Sequence, residues 1–238
     1  MIQYAAKTLR LDEAVLYRAL PFALFMAFIA IDEGIQLAAR WQLLSVPDIA
    51  LYYLYPVKTC TVAALLWMYR GHYLELRLKD LAKAKTTTAV CLAGAVTFVL
   101  WISIDSTLAV NGAPRGFNPA LLPEGAIRLL MTATRVAGAV LVVPLMEELF
   151  WRSFLLRYLI DPDFESVPLG RFTWTSFLVT TVLFGLEHHL FVAGMIAGAI
   201  YSIILYKTRS LAQCILAHAV TNLALAAYVL YTGNWYFW

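Results

Sequence analysis

Charge is scarce in this sequence. Only 14% of its 238 residues are Asp, Glu, Lys or Arg, against 62% hydrophobic, and the mean hydropathy is +0.73. Soluble domains carry about 25% charged residues, so a water-dissolved globule is excluded and a polytopic membrane protein is expected. No polar block is long enough to fold separately, which predicts one membrane-embedded domain over residues 1–238. Cysteine is also sparse. Cys60, Cys91 and Cys214 are odd in number and lie in apolar segments, which excludes a disulfide framework and predicts buried packing thiols. The net charge of +3 is too small to suggest nucleic acid, and no phosphate-cradling glycine loop or internal repeat is present.

The long apolar runs predict an all-α, polytopic transmembrane bundle of about seven or eight spans with interfacial helices. Spans are expected over Ala19–Ala39, Ile49–Tyr69, Thr87–Val110, Val136–Arg157, Phe172–His189, Leu190–Tyr206 and Leu211–Tyr231. Asp32 and Glu33 fall near the far end of the first, where charge is cheap, and Lys58 in the second either snorkels or is paired. Arg70–Lys85 is the most basic stretch, and its leucines suggest a helix lying along the membrane surface. Basic residues there, before the first span and at Lys207 and Arg209 predict a cytoplasmic N-terminus. Asn111–Gly125, poor in Lys and Arg, reads as an outer loop. Arg128 and Arg135 make Ala126–Arg135 interfacial, which places Glu147 about 17 Å along the fourth span.

The chain is organised around Glu147-Glu148-x-x-x-Arg152, three ionisable residues inside an apolar run. A charge near the bilayer centre costs at least ~2.5–3.5 kcal/mol, so such residues pair or do chemistry. Glu148 and Arg152 are i and i+4 on a helix, with the acid first, the favoured order for a pair. Glu147 points about 100° away and must find partners on other helices. Pro144 upstream has no N–H and should kink the helix beside the acids. Two further groups stand inside spans. Phe184-x-x-x-His188 lies near a helix end beside Glu187 and His189, and His218-x-x-x-Asn222 presents two polar groups on one face. Each alone is more often structural, and the Gly194-x-x-x-Gly198 pattern reads as close packing. An acid, two imidazoles and an amide from three helices point instead to chemistry.

That chemistry is constrained by what is missing. The sequence has no HExxH pair, no Gly-Asp pair of the aspartyl intramembrane type and no evident Ser or Cys nucleophile; Ser153 and Ser202 have no base nearby in sequence. A carboxylate in an apolar cavity can deprotonate water, and imidazole and amide donors can stabilise an oxyanion on a peptide carbonyl. Non-covalent peptide hydrolysis follows. A zinc site using Glu147, His188 and His218, and a non-catalytic binding or immunity protein whose polar cluster clamps helices, are the alternatives.

The three motifs, in this order and separation, resemble the signatures of the CPBP family, the CAAX prenyl proteases and bacteriocin-processing proteins. The resemblance covers about Val136–Tyr231. It implies a multi-pass glutamic intramembrane endopeptidase that needs no cofactor or metal and acts on a membrane-associated protein or peptide within the lipid bilayer. By it, Glu147 is the water-activating base, and Glu148 with Arg152 supports it. His188 helps bind the water, and His218 with Asn222 forms the oxyanion site. Phe184–Gly194, with its doubled histidine, also looks like the subgroup found with bacterial exosortase sorting systems, which implies a bacterial inner membrane and leaves His189 as a rival to His188.

Overall fold

The computed structural model describes residues 13–104 and 116–238. Lys7 and Arg10, the last residues of the expected third span and the start of the expected outer loop lie outside them. The described chain is helical without strands. Seven long helices make the bundle: α1 (Glu13–Arg40), α2 (Leu54–Tyr69), α3 (Ala84–Ser103), α4 (Ala126–Tyr158), α5 (Trp174–Leu186), α6 (Phe191–Thr208) and α7 (Leu211–Thr232). Six, counting α2 with its flanking turns, are long and apolar enough to cross a membrane. This is an integral, multi-pass membrane protein. Leu92, Val96 and Val99 on α3, Leu178 and Val182 on α5 and Leu223 on α7 point outward, as lipid-facing side chains should.

Lipid is as apolar as leucine, so close packing and polar contacts hold such helices together. α7 runs along α3 and against the middle of α4, α5 packs on α6, and α1 lies between α2 and the end of α4. A Cβ on Gly194 would stand 3.0 Å from the Gly185 Cα, so both glycines are needed where α5 meets α6. Thr221 on α7 donates to the Gly94 carbonyl of α3 at 2.9 Å. α6 stops at Arg209, a non-glycine residue with φ 51°, and α7 at Gly233, whose φ of 70° is the left-handed cap that glycine adopts freely.

Four expectations change. α4 is continuous from Ala126, so the interfacial piece and the span are one 33-residue helix. α5 has 13 residues, about 20 Å at 1.5 Å each, too short for a ~30 Å hydrocarbon core; its chain turns at Glu187 instead of running on to His189. The expected surface helix over Arg70–Lys85 is two short 3₁₀ turns, Arg70–His72 and Leu78–Ala82, joined by irregular chain. Its leucines 74, 76 and 78 recur every two residues, which no helix face satisfies, and Glu75 between them is drawn inward. Of the cysteines only Cys214 is buried; Cys60 is exposed.

Glu75 is drawn in by Arg18 of α1, which grips its carboxylate twice, at 2.7 and 2.9 Å. Ser153 of α4 donates to the same carboxylate and Arg157 stands 3.9 Å from it. Arg18 also reaches Glu165, in the loop after α4, at 3.4 Å. One buried knot thus ties α1, the α2–α3 loop, α4 and the α4–α5 loop at a single end of the bundle. Ser153, expected to lack a base, has Glu75 beside it, but it is fully buried and locked between two guanidiniums.

Candidate active site

α4 is not a uniform helix. Gly138–Val142 and Leu149–Leu155 are π-helical, with the six-residue α segment Val143–Glu148 between them. Pro144 shows how its local sequence is accommodated. In the π register the Val143 N–H bonds the Gly138 carbonyl, so the next carbonyl, Ala139, would bond the N–H of residue 144. Proline has none. Instead of a sharp kink, the helix widens, and Asn222 of α7 donates its amide to the Ala139 carbonyl at 2.7 Å. π turns of this kind are frequent at functional sites.

The widened turn also sets direction. In an α-helix every fourth residue overshoots a full turn by about 40°. The wider π turn removes that overshoot, and Arg135, Ala139, Val143 and Glu147 all line one cavity of about 340 Å³. Such a volume suits a bound peptide segment.

Glu147 and Glu148 are both buried, at 3% and 0% exposure. The two carboxylates differ in their partners. Glu148 Oε1 accepts from Arg152 at 3.2 Å and meets His218 Nδ1 at 3.0 Å. Arg152 in turn donates to the Gly198 carbonyl at 3.0 Å and lies over the Phe184 ring at 4.4 Å, so it is fixed on every side. Glu147 Oε2 has no hydrogen-bond partner among the described residues and stands 4.0 Å from His218 Nε2. Glu148 Oε2 is likewise unbonded, and what sets Glu147 apart is that it lines the cavity while Glu148 is held behind it by Arg152 and His218. A buried acceptor left unbonded calls for a partner such as a water, an ion or a ligand, and Glu147 is placed to meet one in the cavity.

The imidazoles are oriented by the same logic. Because α5 ends early, the His188 N–H bonds Gly185 and the Phe184 carbonyl is released; His188 Nδ1 meets that carbonyl at 2.7 Å. A carbonyl only accepts, so Nδ1 carries the proton and Nε2 keeps its lone pair. Trp101 packs edge-on against this ring at 5.3 Å. His218, stacked on Tyr201 at 4.8 Å, likewise gives its Nδ1 proton to Glu148 and turns Nε2 toward Glu147. His189 is largely exposed, faces Tyr236 at 5.3 Å, and reaches the cavity from its rim.

All the motif residues therefore converge: Glu147, His188, His218 and Asn222 line the cavity, with Glu148 and Arg152 directly behind. Three charged lining residues were not anticipated in this role. Glu187, whose Oε2 accepts from Trp151 Nε1 at 3.0 Å, adds a second carboxylate; its signal was an acid directly before His188 in an apolar window. Lys58 and Arg135 add two cations. Lys58 Nζ lies over Phe25 at 4.2 Å and Tyr55 at 5.0 Å, and Arg135 over Tyr55 at 4.3 Å and Trp238 at 5.7 Å. Asp32 and Glu33 are not among the lining residues. Among the described residues no group of three His, Cys, Asp or Glu side chains is arranged to hold a metal ion.

Residues 128–224, which hold every motif residue, match the family model of the type II CAAX prenyl endopeptidases, Rce1-like. Over this stretch, less than half of the 238-residue chain, the sequence is similar to those endopeptidases. α1, α2 and α3 lie outside the matched stretch, yet α3 and α2 supply Trp101 and Lys58 to the cavity. No curated protein and no solved structure matches the chain.

Proposed function

We propose that this protein is an intramembrane glutamic endopeptidase, a single membrane-embedded domain over residues 1–238, in which Glu147 activates water against a substrate peptide bond. The observation that carries the reading is the unbonded Glu147 carboxylate oxygen, buried in the cavity 4.0 Å from His218 Nε2.

The charges suggest how base and oxyanion donor arise together. Glu148 is matched by Arg152. The facing pair, Glu147 and His218, can then share one proton in two ways. With the proton on Glu147, both are neutral. With it on His218, Glu147 is an ionised base and His218 Nε2–H a charged donor. The second form is the reactive one. A water held by His188 Nε2 and Glu147 gives its proton to Glu147 while its oxygen attacks the carbonyl carbon. The oxyanion that forms accepts from His218 Nε2–H and from the Asn222 N–H not spent on Ala139. Collapse breaks the C–N bond, and Glu147 returns its proton to the departing amine. Water is consumed and an acid and an amine are released, with no covalent enzyme intermediate.

We infer a bacterial inner-membrane setting from the resemblance of Phe184–Gly194 to the exosortase-associated subgroup. A cytoplasmic N-terminus follows from the basic α2–α3 loop, which shares one end of the bundle with the Arg18–Glu75–Arg157 knot and the α4–α5 loop. A prenylated C-terminus, a leader peptide and a sorting-tagged membrane protein are the candidate substrates for such a membrane-embedded cavity. The test is comparative: membranes from cells carrying the wild type or Glu147→Gln, searched for peptide termini present only with the wild type. Identical termini in both would sink the reading.

A further inference from the structure

The cavity carries an arrangement of charge that hydrolysis does not require. Glu147 and Glu187 line it together with Lys58 and Arg135, acids on the motif side and cations beside Tyr55. Neither cation has a carboxylate within 4.0 Å among the described residues, and Arg135 Nε is buried with no hydrogen-bond partner. Asp32 is the acid whose field reaches Lys58, but it forms no ion pair with it and is hydrogen-bonded to Gln36. The two cations instead share the ring of Tyr55. A ring face offsets only part of the cost of a charge inside a membrane helix, and two neighbouring positive charges repel besides. An anion between them would relieve all three costs at once.

Resting on the reading above, we propose that Lys58 and Arg135 form a subsite for a carboxylate of the substrate peptide. The subsite sets which bond reaches Glu147. Arg135 and Glu147 stand twelve residues apart on the same lining face of α4, up to ~18 Å along the axis. An extended peptide covers that span in about five residues. Seating the carboxylate at the cationic side therefore fixes both the direction of the peptide and the distance from the anchored charge to the bond cut. The planar guanidinium of Arg135 suits two-point binding of a carboxylate, and Lys58 adds a mobile charge. A phospholipid phosphate is the competing anion. The carboxylate is favoured because the cations open onto the same enclosed space as the reacting groups, where a peptide must pass.

The experiment uses full-length Glu147→Gln protein in detergent, so that binding is read without cleavage. Three fluorescent short apolar peptides are compared by anisotropy: one with a free C-terminus, one amidated, and one amidated with an internal Glu. At least one carboxylate form should bind about ten- to a hundredfold more tightly than the neutral amide. Which form wins tells a chain end from an acidic side chain. The preference should vanish with Lys58→Gln and Arg135→Gln together and survive Lys58→Arg, with folding checked by thermal melting. Should the double variant fail to fold, the acid-to-amide comparison in the parent protein decides alone. Equal binding of all three peptides, or a preference that survives in a folded double variant, would overturn the proposal. So would dodecyl phosphate binding that depends on both cations while the peptides show no preference, for the site would then belong to lipid. Cleavage by the wild type is scored separately. A carboxylate preference without any Glu147-dependent cleavage would refute the protease reading and leave the subsite standing.

Discussion

Asn222 donates to the Ala139 carbonyl at 2.7 Å, filling the bond that Pro144 cannot make. The amide thereby has two possible employments, fastening α7 to α4 and donating to an oxyanion, and they are separable by restoring the missing backbone N–H.

Asn222→Ala should lose both. The orphaned carbonyl costs about 1–3 kcal/mol of stability, and the lost donor about 10²–10³ in single-turnover rate. Pro144→Ala in the same chain returns an N–H to position 144 and should recover the melting temperature without recovering the rate. If rate and stability recover together, Asn222 is a clamp and the oxyanion site has lost one donor.

The two glutamates should fail differently. Glu147→Gln keeps its size and has no ion pair within 3.5 Å to break, so folded but inactive protein is expected. Glu148→Gln strands Arg152 in low dielectric, and a loss of about 3–5 kcal/mol should show as unfolding in detergent. Turnover by a folded Glu147→Gln protein would remove the general base from the scheme.

Acid should loosen the knot at Glu75. Burial pushes this carboxyl upward, but hydrogen bonds from Arg18 and Ser153 and the Arg18 charge outweigh it and hold it below its ordinary 4.5. A depressed folded-state value means stabilisation that is complete above about 4.5 and fades as pH falls through the lower folded value. Melting temperatures measured on descending from neutral pH should drop below that point in the wild type and drop less in Glu75→Gln. Parallel curves would mean the ionised carboxylate contributes nothing.

Chelation separates the glutamate mechanism from a zinc one. Activity should survive prolonged treatment with a strong chelator, and purified protein should hold zinc well below one equivalent. Stoichiometric zinc, lost together with activity when His188 or His218 is replaced, would reassign Glu147 as a ligand.

The reach of sequence reasoning follows from the kind of interaction involved. Six of the seven expected spans and the spacing of the motif residues were legible because each is local: an apolar run, or an i, i+4 pair on one helix. The Glu75 knot joins positions 18, 75, 153, 157 and 165, and nothing in the basic stretch around Glu75 says that it turns inward. Lys58 could be read as snorkelling or paired because its neighbour, Arg135, lies on another helix and its support is an aromatic face rather than an acid. Glu187 reads in sequence only as an acid at a helix end; the early end of α5 brings that turn to the cavity. The π segments have only Pro144 as a local sign, and a proline by itself does not distinguish a kink from a widened turn.

Those π segments give α4 a phase. Glu147 and Glu148 sit on a short α-helical island whose rotation about the helix axis is set by the count of residues in the wide turn before it. Regularising Gly138–Val142 to an ordinary α-helix with all five residues kept would rotate everything after it by roughly 90°. The same two acids would still follow each other in sequence, but the one now facing the cavity would face the neighbouring helices. Position along this chain names the catalytic candidate only because a single turn is miscounted in its favour.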